Sequence, residues 1–214
     1  MKTYKKVFQG LDFVFWGWLV NWAYPQYFRQ RYGYMKYWRL FFGYVLPQKL
    51  FRINAAVSWP VHFTSKVACC ENIQKGILCD PGDSPGVYIQ AMNGIVFGNN
   101  IGISPGVKII SANHTRGKLR SSHDIAPPIK IGNNVMIYAN SIILPGVEIG
   151  NNVIIGAGSV VTKSIPSDSI AVGNPCRVIR ENIPYTEDFS EVVFNRRIPE
   201  RFRAYLYSLK DTAV

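Results

Sequence analysis

The sequence predicts a mainly β protein built as a parallel β-helix of six-residue turns, and three observations point there. Over residues 131–166 bulky aliphatics fall at Ile131, Ile137, Ile143, Ile149, Ile155 and Val161, a step of six held without a slip. A companion row at Val135, Ser141, Val147, Val153, Ser159 and Ile165 keeps the same step. Between the rows stand residues that turn the chain: Gly132-Asn133-Asn134, Pro145-Gly146, Gly150-Asn151-Asn152 and Gly156-Ala157-Gly158. Asn and Gly tolerate the positive φ that tight corners demand. Hairpin strands would alternate with period two and a helix with period 3.6. Six is the period of a short strand of about four residues followed by a corner, three such sides closing one coil about 4.8 Å above the last.

Residues 1–58 form a segment of another kind, basic and aromatic. Residues 1–66 carry ten Lys or Arg against the single acid Asp12, and twenty of the twenty-nine aromatics, including all five Trp. The formal charge of +11 is thus concentrated there, and the remainder is near neutral. Pro25, Gly33, Gly43 and Pro47 break the segment into two or three helical or irregular pieces. Two readings fit this composition: a surface that meets anionic lipid or an anionic substrate, and a helical flap packing its aromatics on the β-helix. The run LDFVFWGWLV at 11–20 follows Lys2, Lys5 and Lys6 as a signal peptide would, but Asp12 interrupts it and its Trp content fits an interfacial helix. The run is also too short to span a hydrocarbon core of about 30 Å. Cys69, Cys70, Cys79 and Cys176 show neither a CxxC pair nor the spacing of a disulfide framework. That predicts a reducing, cytoplasmic compartment, and on the lipid reading residues 1–58 lie peripherally at the inner face of the membrane. No RNP or helix-turn-helix pattern accompanies the basic residues, which argues against nucleic acid.

The six-residue step starts at Val61 and runs through Val67 and Ile73, with Phe63 and Cys69 as companions, so the β-helix is assigned to 59–175. Residues 76–88, GILCDPGDSPGVY, break the rhythm and read as a loop leaving a corner. Ile89 and Ile95 resume it, and a clean coil follows from Phe97 through Ile103 and Ile109, with Gly98-Asn99-Asn100 at one corner. At His114 the repeat stops. The stretch 115–130, TRGKLRSSHDIAPPIK, is a basic protruding loop, with Arg116, Lys118, Arg120 and Lys130 against Asp124. An excursion that long from a compact solenoid is usually functional. The segment 171–182, AVGNPCRVIREN, leaves the solenoid, and the tail at 176–214 holds a helix at 199–210 suited to capping the stack.

From Pro128 to Asn182 the pieces IGNNV, ILPGVEIG, GAGSVVTKSIP and VGNPCRVIREN resemble the hexapeptide-repeat acyltransferases, nearest the galactoside and maltose O-acetyltransferase branch. The resemblance implies a left-handed β-helix, homotrimers with sites between subunits, acetyl-CoA as acyl donor, and no metal. It also implies site residues. His114 holds the position of the family's catalytic histidine, where an imidazole with a pKa of about 6.5 can take the proton of an alcohol as its oxygen attacks the thioester. Asn93 matches an asparagine that orients the acceptor or donates to the oxyanion. Ala139 and Ala157 match small residues that leave room for the pantetheine arm. Thr162 and Lys163 match contacts to pantetheine and nucleotide, and Arg177 and Arg180 match cations near the CoA phosphates, where guanidinium binds two oxygens at once. His123 has no counterpart, and Arg116 and Arg120 suit a phosphate-bearing or acidic acceptor. The chain departs from the family in two places. Met136-Ile137-Tyr138 stands where Trp-Ile-Gly is frequent, and the aromatic N-terminal segment points to an acceptor held at a membrane surface.

The expected activity is transfer of acetyl from acetyl-CoA to a saccharide hydroxyl, in capsule, O-antigen or related glycan biosynthesis. The same fold, donor and histidine would also serve an acetyltransferase acting on an antibiotic, on serine or on an amino sugar. A γ-type carbonic anhydrase would need three zinc ligands from His62, His114 and His123, and a non-catalytic scaffold would bind no CoA.

Overall fold

The computed structural model of the protein describes residues 10–24, 36–118 and 122–183. Its strands wind into a three-sided parallel β-helix. The first face stacks β1 (Lys66–Ala68), β3 (Tyr88–Gln90), β6 (Lys108–Ile110), β9 (Ile142–Ile143) and β12 (Val160–Val161). The second stacks β2 (Ile73–Lys75), β4 (Ile95–Phe97), β7 (Ile129–Ile131) and β10 (Glu148–Ile149), which Ile165 extends by a bridge to Ile149. The third stacks β5 (Ile101–Ile103), β8 (Val135–Ile137), β11 (Ile154–Ile155) and β13 (Ser169–Val172), and ends in the antiparallel β14 (Arg177–Glu181).

Register turns the repeat into columns. Val67, Ile89, Ile109, Ile143 and Val161 lie one above another on the first face, and Ile103, Ile137, Ile155 and Ala171 on the third. All twelve residues of the two rows over 131–166 are buried. Each buried aliphatic contributes about 1.5–3 kcal/mol, so the columns supply the main driving force for the coil.

The corners divide their work between two residue types. In each Gly-Asn-Asn the second Asn takes the positive φ: Asn100 at 57°, Asn134 at 56° and Asn152 at 55°. The first Asn accepts, through Oδ1, the backbone N–H of the corner below, Ile77 to Asn99 at 2.9 Å, Asn99 to Asn133 at 2.7 Å and Asn133 to Asn151 at 2.7 Å. The glycine is there for room, because a Cβ on Gly132 would lie 2.6 Å from Asn151 Oδ1 and 2.7 Å from the Gly150 carbonyl carbon. Gly158 differs: its φ is +69° and open space surrounds it.

Four expectations change at the ends of the coil. The excursion expected over 115–130 ends earlier, since Ile129–Ile131 forms β7 between β4 and β10. Residues 169–172 stay in the solenoid as β13, and the tail folds back on them as β14 instead of leaving. Phe63 is exposed rather than an inward companion, because the first strand begins only at Lys66. Residues 77 and 78 still run as a third side, their carbonyls accepting from Asn100 and Ile101, and the departure starts beyond them. The expected helix at 199–210 lies outside the described residues.

The described residues of the aromatic segment form two short helices that pack on one another and on the first coil. In α1 a wide π-helical turn, Phe13–Gly17, continues into Trp18–Ala23, and in α2 Tyr37–Leu40 continues into the π-helical Phe41–Leu50. Trp16 meets Phe41 at 4.8 Å between ring centroids and Phe13 meets Tyr37 at 5.4 Å, over buried Val20, Tyr24, Tyr44 and Val45. Gln48, buried, ties this unit to the coil: Nε2 donates to the Val57 and Trp59 carbonyls, and Oε1 accepts from Tyr24 Oη and Val61 N. Tyr44 donates to the Asp83 carbonyl at 2.7 Å. Val57, Trp59 and Val61 close the core at this end.

Beneath them lies a buried charged cluster. Lys75 occupies an inward slot, in register with Phe97, and reaches Asp80 at 3.1 Å. Burial pushes the Lys75 ammonium below its ordinary range and the Asp80 carboxyl well above its own, with the Asp83 charge adding to the latter. Asp83 is pushed up to about 6 by burial, against hydrogen bonds from Ser84 and its own backbone and the charge of Lys75.

Two outcomes follow for stability. Gly132→Ala should cost more than Gly158→Ala, about 2–4 kcal/mol against about 1 kcal/mol in urea unfolding, because only the first forces backbone apart. Asp83 keeps its proton to about pH 6 when folded but only to about 3.8 when unfolded. Between those values the native state binds the extra proton, so this group's contribution falls as pH rises, by up to about 3 kcal/mol. Unfolding of Asp83→Asn beside the unaltered chain at pH 4.5 and 7 should show the variant gaining relative stability at pH 7. A gap that does not move with pH would refute the assignment.

Candidate active site

The edge between the first and second faces carries the interruption in the repeat, and its root is tied down before it leaves the coil. Ser111, fully buried, accepts from Asn93 N through Oγ at 2.9 Å, and Gln90 Oε1 accepts from Ser111 N and Ala112 N at 3.2 and 3.1 Å. Asn93, one coil below, donates from Nδ2 to the Ser111 carbonyl and to the Asp124 carbonyl, both at 2.9 Å. It thus bolts the outgoing and returning strands of the loop together. Both amide hydrogens are spent on that task, so the amide cannot reach an oxyanion while these bonds hold.

Beyond the root the two strands pair antiparallel. Asp124 N donates to the Asn113 carbonyl at 2.9 Å, Thr115 N to the Ser122 carbonyl at 3.2 Å, and His114 is bridged to His123. Their rings lie 4.7 Å apart between centroids at 33°, and both residues are exposed. The structure therefore brings His123, which the sequence offered no reason to choose, against His114. Ser122 adds a buried hydroxyl that has no partner among the described residues. No periodic signal in the sequence marks this pairing, which spans nine residues across the loop. Arg116 and Lys118 are exposed on the outgoing side, and Arg120 lies outside the described residues.

The residues expected to hold the donor fall on two edges. Ala139 and Ala157 stand in successive coils at the edge between the third and first faces, joined by Gly158 N to the Ala139 carbonyl at 2.8 Å. Arg177 rises beside the same edge, since Cys176 N bonds the Val160 carbonyl, and Arg177 pairs in register with Val172 while Arg180 pairs with Ile170. Both arginines are exposed, and Arg177 Nη1 donates to the Cys176 carbonyl at 2.8 Å. Thr162 and Lys163 follow β12 and are exposed at the other edge, above the root of the His114 loop. Met136 and Tyr138 face solvent from the third face beside Ala139.

The three histidines do not converge. His62 Nδ1 bonds Thr64 Oγ1 at 2.8 Å and its ring packs on Tyr44 and Phe63, with burial pushing its pKa down. Among the described residues no three His, Cys, Asp or Glu side chains group to hold a metal ion.

A three-sided coil of six-residue turns with an exposed imidazole at an interrupted corner defines a class, and comparison with known proteins agrees. Residues 128–163 match the model of the bacterial transferase hexapeptide family (six repeats). Galactoside O-acetyltransferase of Escherichia coli (strain K12) is 47% identical over 89 residues, 41% of this chain and 44% of that protein, so the match spans less than half of either. Among solved structures, a maltose O-acetyltransferase from Clostridium difficile 630 is 37% identical, covering 56% of this chain and 64% of its own, with a TM-score of 0.49. A galactoside acetyltransferase in complex with coenzyme A is 33% identical, covering 60% of this chain and 70% of its own, with a TM-score of 0.46. Residues 128–163 thus carry the repeat of the hexapeptide transferases, and the coil they belong to is a left-handed β-helix.

If Asn93 bolts the loop, Asn93→Ala should speed hydrogen exchange of the Asp124 and Thr115 amides by about tenfold or more, with global stability lowered by about 1–2 kcal/mol. Unchanged exchange at both amides would show that the loop holds without it.

Proposed function

We propose that the protein is an acetyl-CoA-dependent O-acetyltransferase acting on a saccharide hydroxyl in capsule, O-antigen or related glycan assembly. It works as a homotrimer in the cytoplasm, at the inner face of the membrane. The observation that carries this reading is the exposed His114 imidazole, held at an anchored corner of a coil whose relatives by sequence are sugar O-acetyltransferases. Four free thiols support a reducing compartment.

In this reading His114 takes the proton from the acceptor hydroxyl as its oxygen attacks the thioester carbonyl carbon. The C–O bond forms, the carbonyl becomes a tetrahedral oxyanion, and its collapse breaks the C–S bond. The proton held by His114 then passes to the departing thiolate, which leaves as free CoA. His123, against the His114 ring, limits how that ring can rotate. Ser122 leaves one donor unspent next to this pair. The split of candidate donor residues over two edges supports sites between copies, with the third–first edge of one copy facing the His114 edge of the next. Arg177 and Arg180 answer the phosphates of the donor, and Arg116 and Lys118 answer an anionic acceptor.

Calorimetry with acetyl-CoA tests the donor without knowledge of the acceptor. One site per chain is expected, with Kd raised by about tenfold or more in an Arg177→Ala, Arg180→Ala double variant. A screen of saccharide acceptors, read by thiol release, should then show His114→Ala lowering kcat by about 100-fold or more with the circular dichroism unchanged, and His123→Ala lowering it less. Absence of acetyl-CoA binding by the folded protein would overturn the proposal.

A further inference from the structure

Helix α1 is apolar on both sides. Its inner side meets α2 through Phe13 and Trp16, and its outer side shows Val14, Phe15, Trp18 and Trp22 to solvent, the last two 62% and 70% exposed. A surface helix ordinarily turns polar residues outward, and these positions are indole, phenyl and isopropyl instead. From α2, Trp38 and Phe42 are exposed as well, as are Leu50 and Phe51 at its end.

The charges around this face are of one sign. Lys36, Arg39, Lys49 and Arg52 are exposed, and among the described residues none of them has a carboxylate partner. Arg39 and Lys49 lie over the rings of Trp38 and Tyr24, at 5.3 and 5.0 Å. Asp12, the sole acid in residues 1–66, is turned inward: Oδ2 accepts from Tyr37 N at 2.7 Å and Oδ1 from Trp38 N at 3.0 Å. Its charge is spent on the first turn of α2, where unsatisfied N–H groups attract a carboxylate.

We infer that the outer face of α1 and α2 docks on the surface of an anionic lipid bilayer, with Trp18 and Trp22 seated at headgroup level and the surrounding cations on lipid phosphates. Charge selects this occupant. A second copy meeting the same face would set positive against positive, whereas an anionic bilayer complements it and takes up the indoles at its interface. Among the described residues no helix is long and apolar enough to cross a membrane, so the contact is with the surface. This gives residues and a lipid class to the membrane location proposed above, and it stands apart from the acetyl-transfer chemistry, since both helices lie outside the matched repeat.

The test is co-sedimentation of the full chain with phosphatidylcholine vesicles, with and without about a third phosphatidylglycerol, alongside a Trp18→Gln, Trp22→Gln variant and an Arg39→Gln, Arg52→Gln variant. The unaltered chain should bind the anionic vesicles about tenfold or more tightly than the neutral ones, weaken with added salt, and show a blue shift in Trp emission. Both variants should lose about tenfold in binding while keeping their thermal midpoint and acetyl-CoA affinity. Equal binding by the Trp variant, or no preference for anionic vesicles, would overturn the inference. So would a drop in oligomer mass in the Trp variant without vesicle binding by the unaltered chain, which would make the face a contact between copies. Loss of acetyl-CoA binding by the unaltered chain would count against the enzymatic proposal and leave this one standing.

Discussion

Everything in this molecule depends on coils that bond to one another through their backbones at strand spacing. With each coil lying directly on the last, whatever occupies a corner meets the same corner one turn below. A side chain at Gly98, Gly132 or Gly150 would run into the next layer's backbone, and the asparagine beside each accepts an N–H from the layer before it. Sequence repetition is thus a packing rule before it is a mark of ancestry. It also explains why the His114 loop departs where its root is separately secured, by Gln90, Asn93 and Ser111.

The coil was legible because its constraint is local and periodic. Twelve positions at two phases of six predicted twelve buried side chains, and the resemblance over 128–182 supplied the hand. The reason given for the corner glycines was only partly right, since in each Gly-Asn-Asn the second asparagine carries the positive φ and the glycine supplies clearance, a distinction that depends on the next layer. Phe63 fitted the period yet faces solvent, because periodicity cannot tell where the first strand begins. His114 was singled out by family position. His123 was not, because its significance comes from a pairing across nine residues that no repeat encodes. The role of Asn93 in binding both strands of the loop likewise depends on a contact thirty-one residues away.

The closed end of the coil follows different physics. Lys75 sits in a column otherwise filled by Phe97, Ile131 and Ile149, and it needs Asp80 to be there. Buried ion pairs seldom add net stability, because desolvation offsets attraction, but they penalise any arrangement that separates the partners. Here the pair and Asp83 lie under Trp59, whose indole N–H donates to the Pro81 carbonyl, and beside the Tyr44 and Gln48 contacts that hold the helices. The helical unit is held in register against this end: a helix pair shifted by one turn would leave Gln48 and the Asp83 carbonyl without their partners.

At the opposite end, β13 would offer a naked parallel edge on which another coil could grow. β14 takes that edge in the antiparallel sense, with all five of its residues exposed and Arg177, Arg180 and Glu181 among them. A solenoid whose last rung is free can template a second molecule, as fibril ends do. Reversing the final strand ends the template on this face, so the stack has a fixed number of rungs and cannot seed a filament from it.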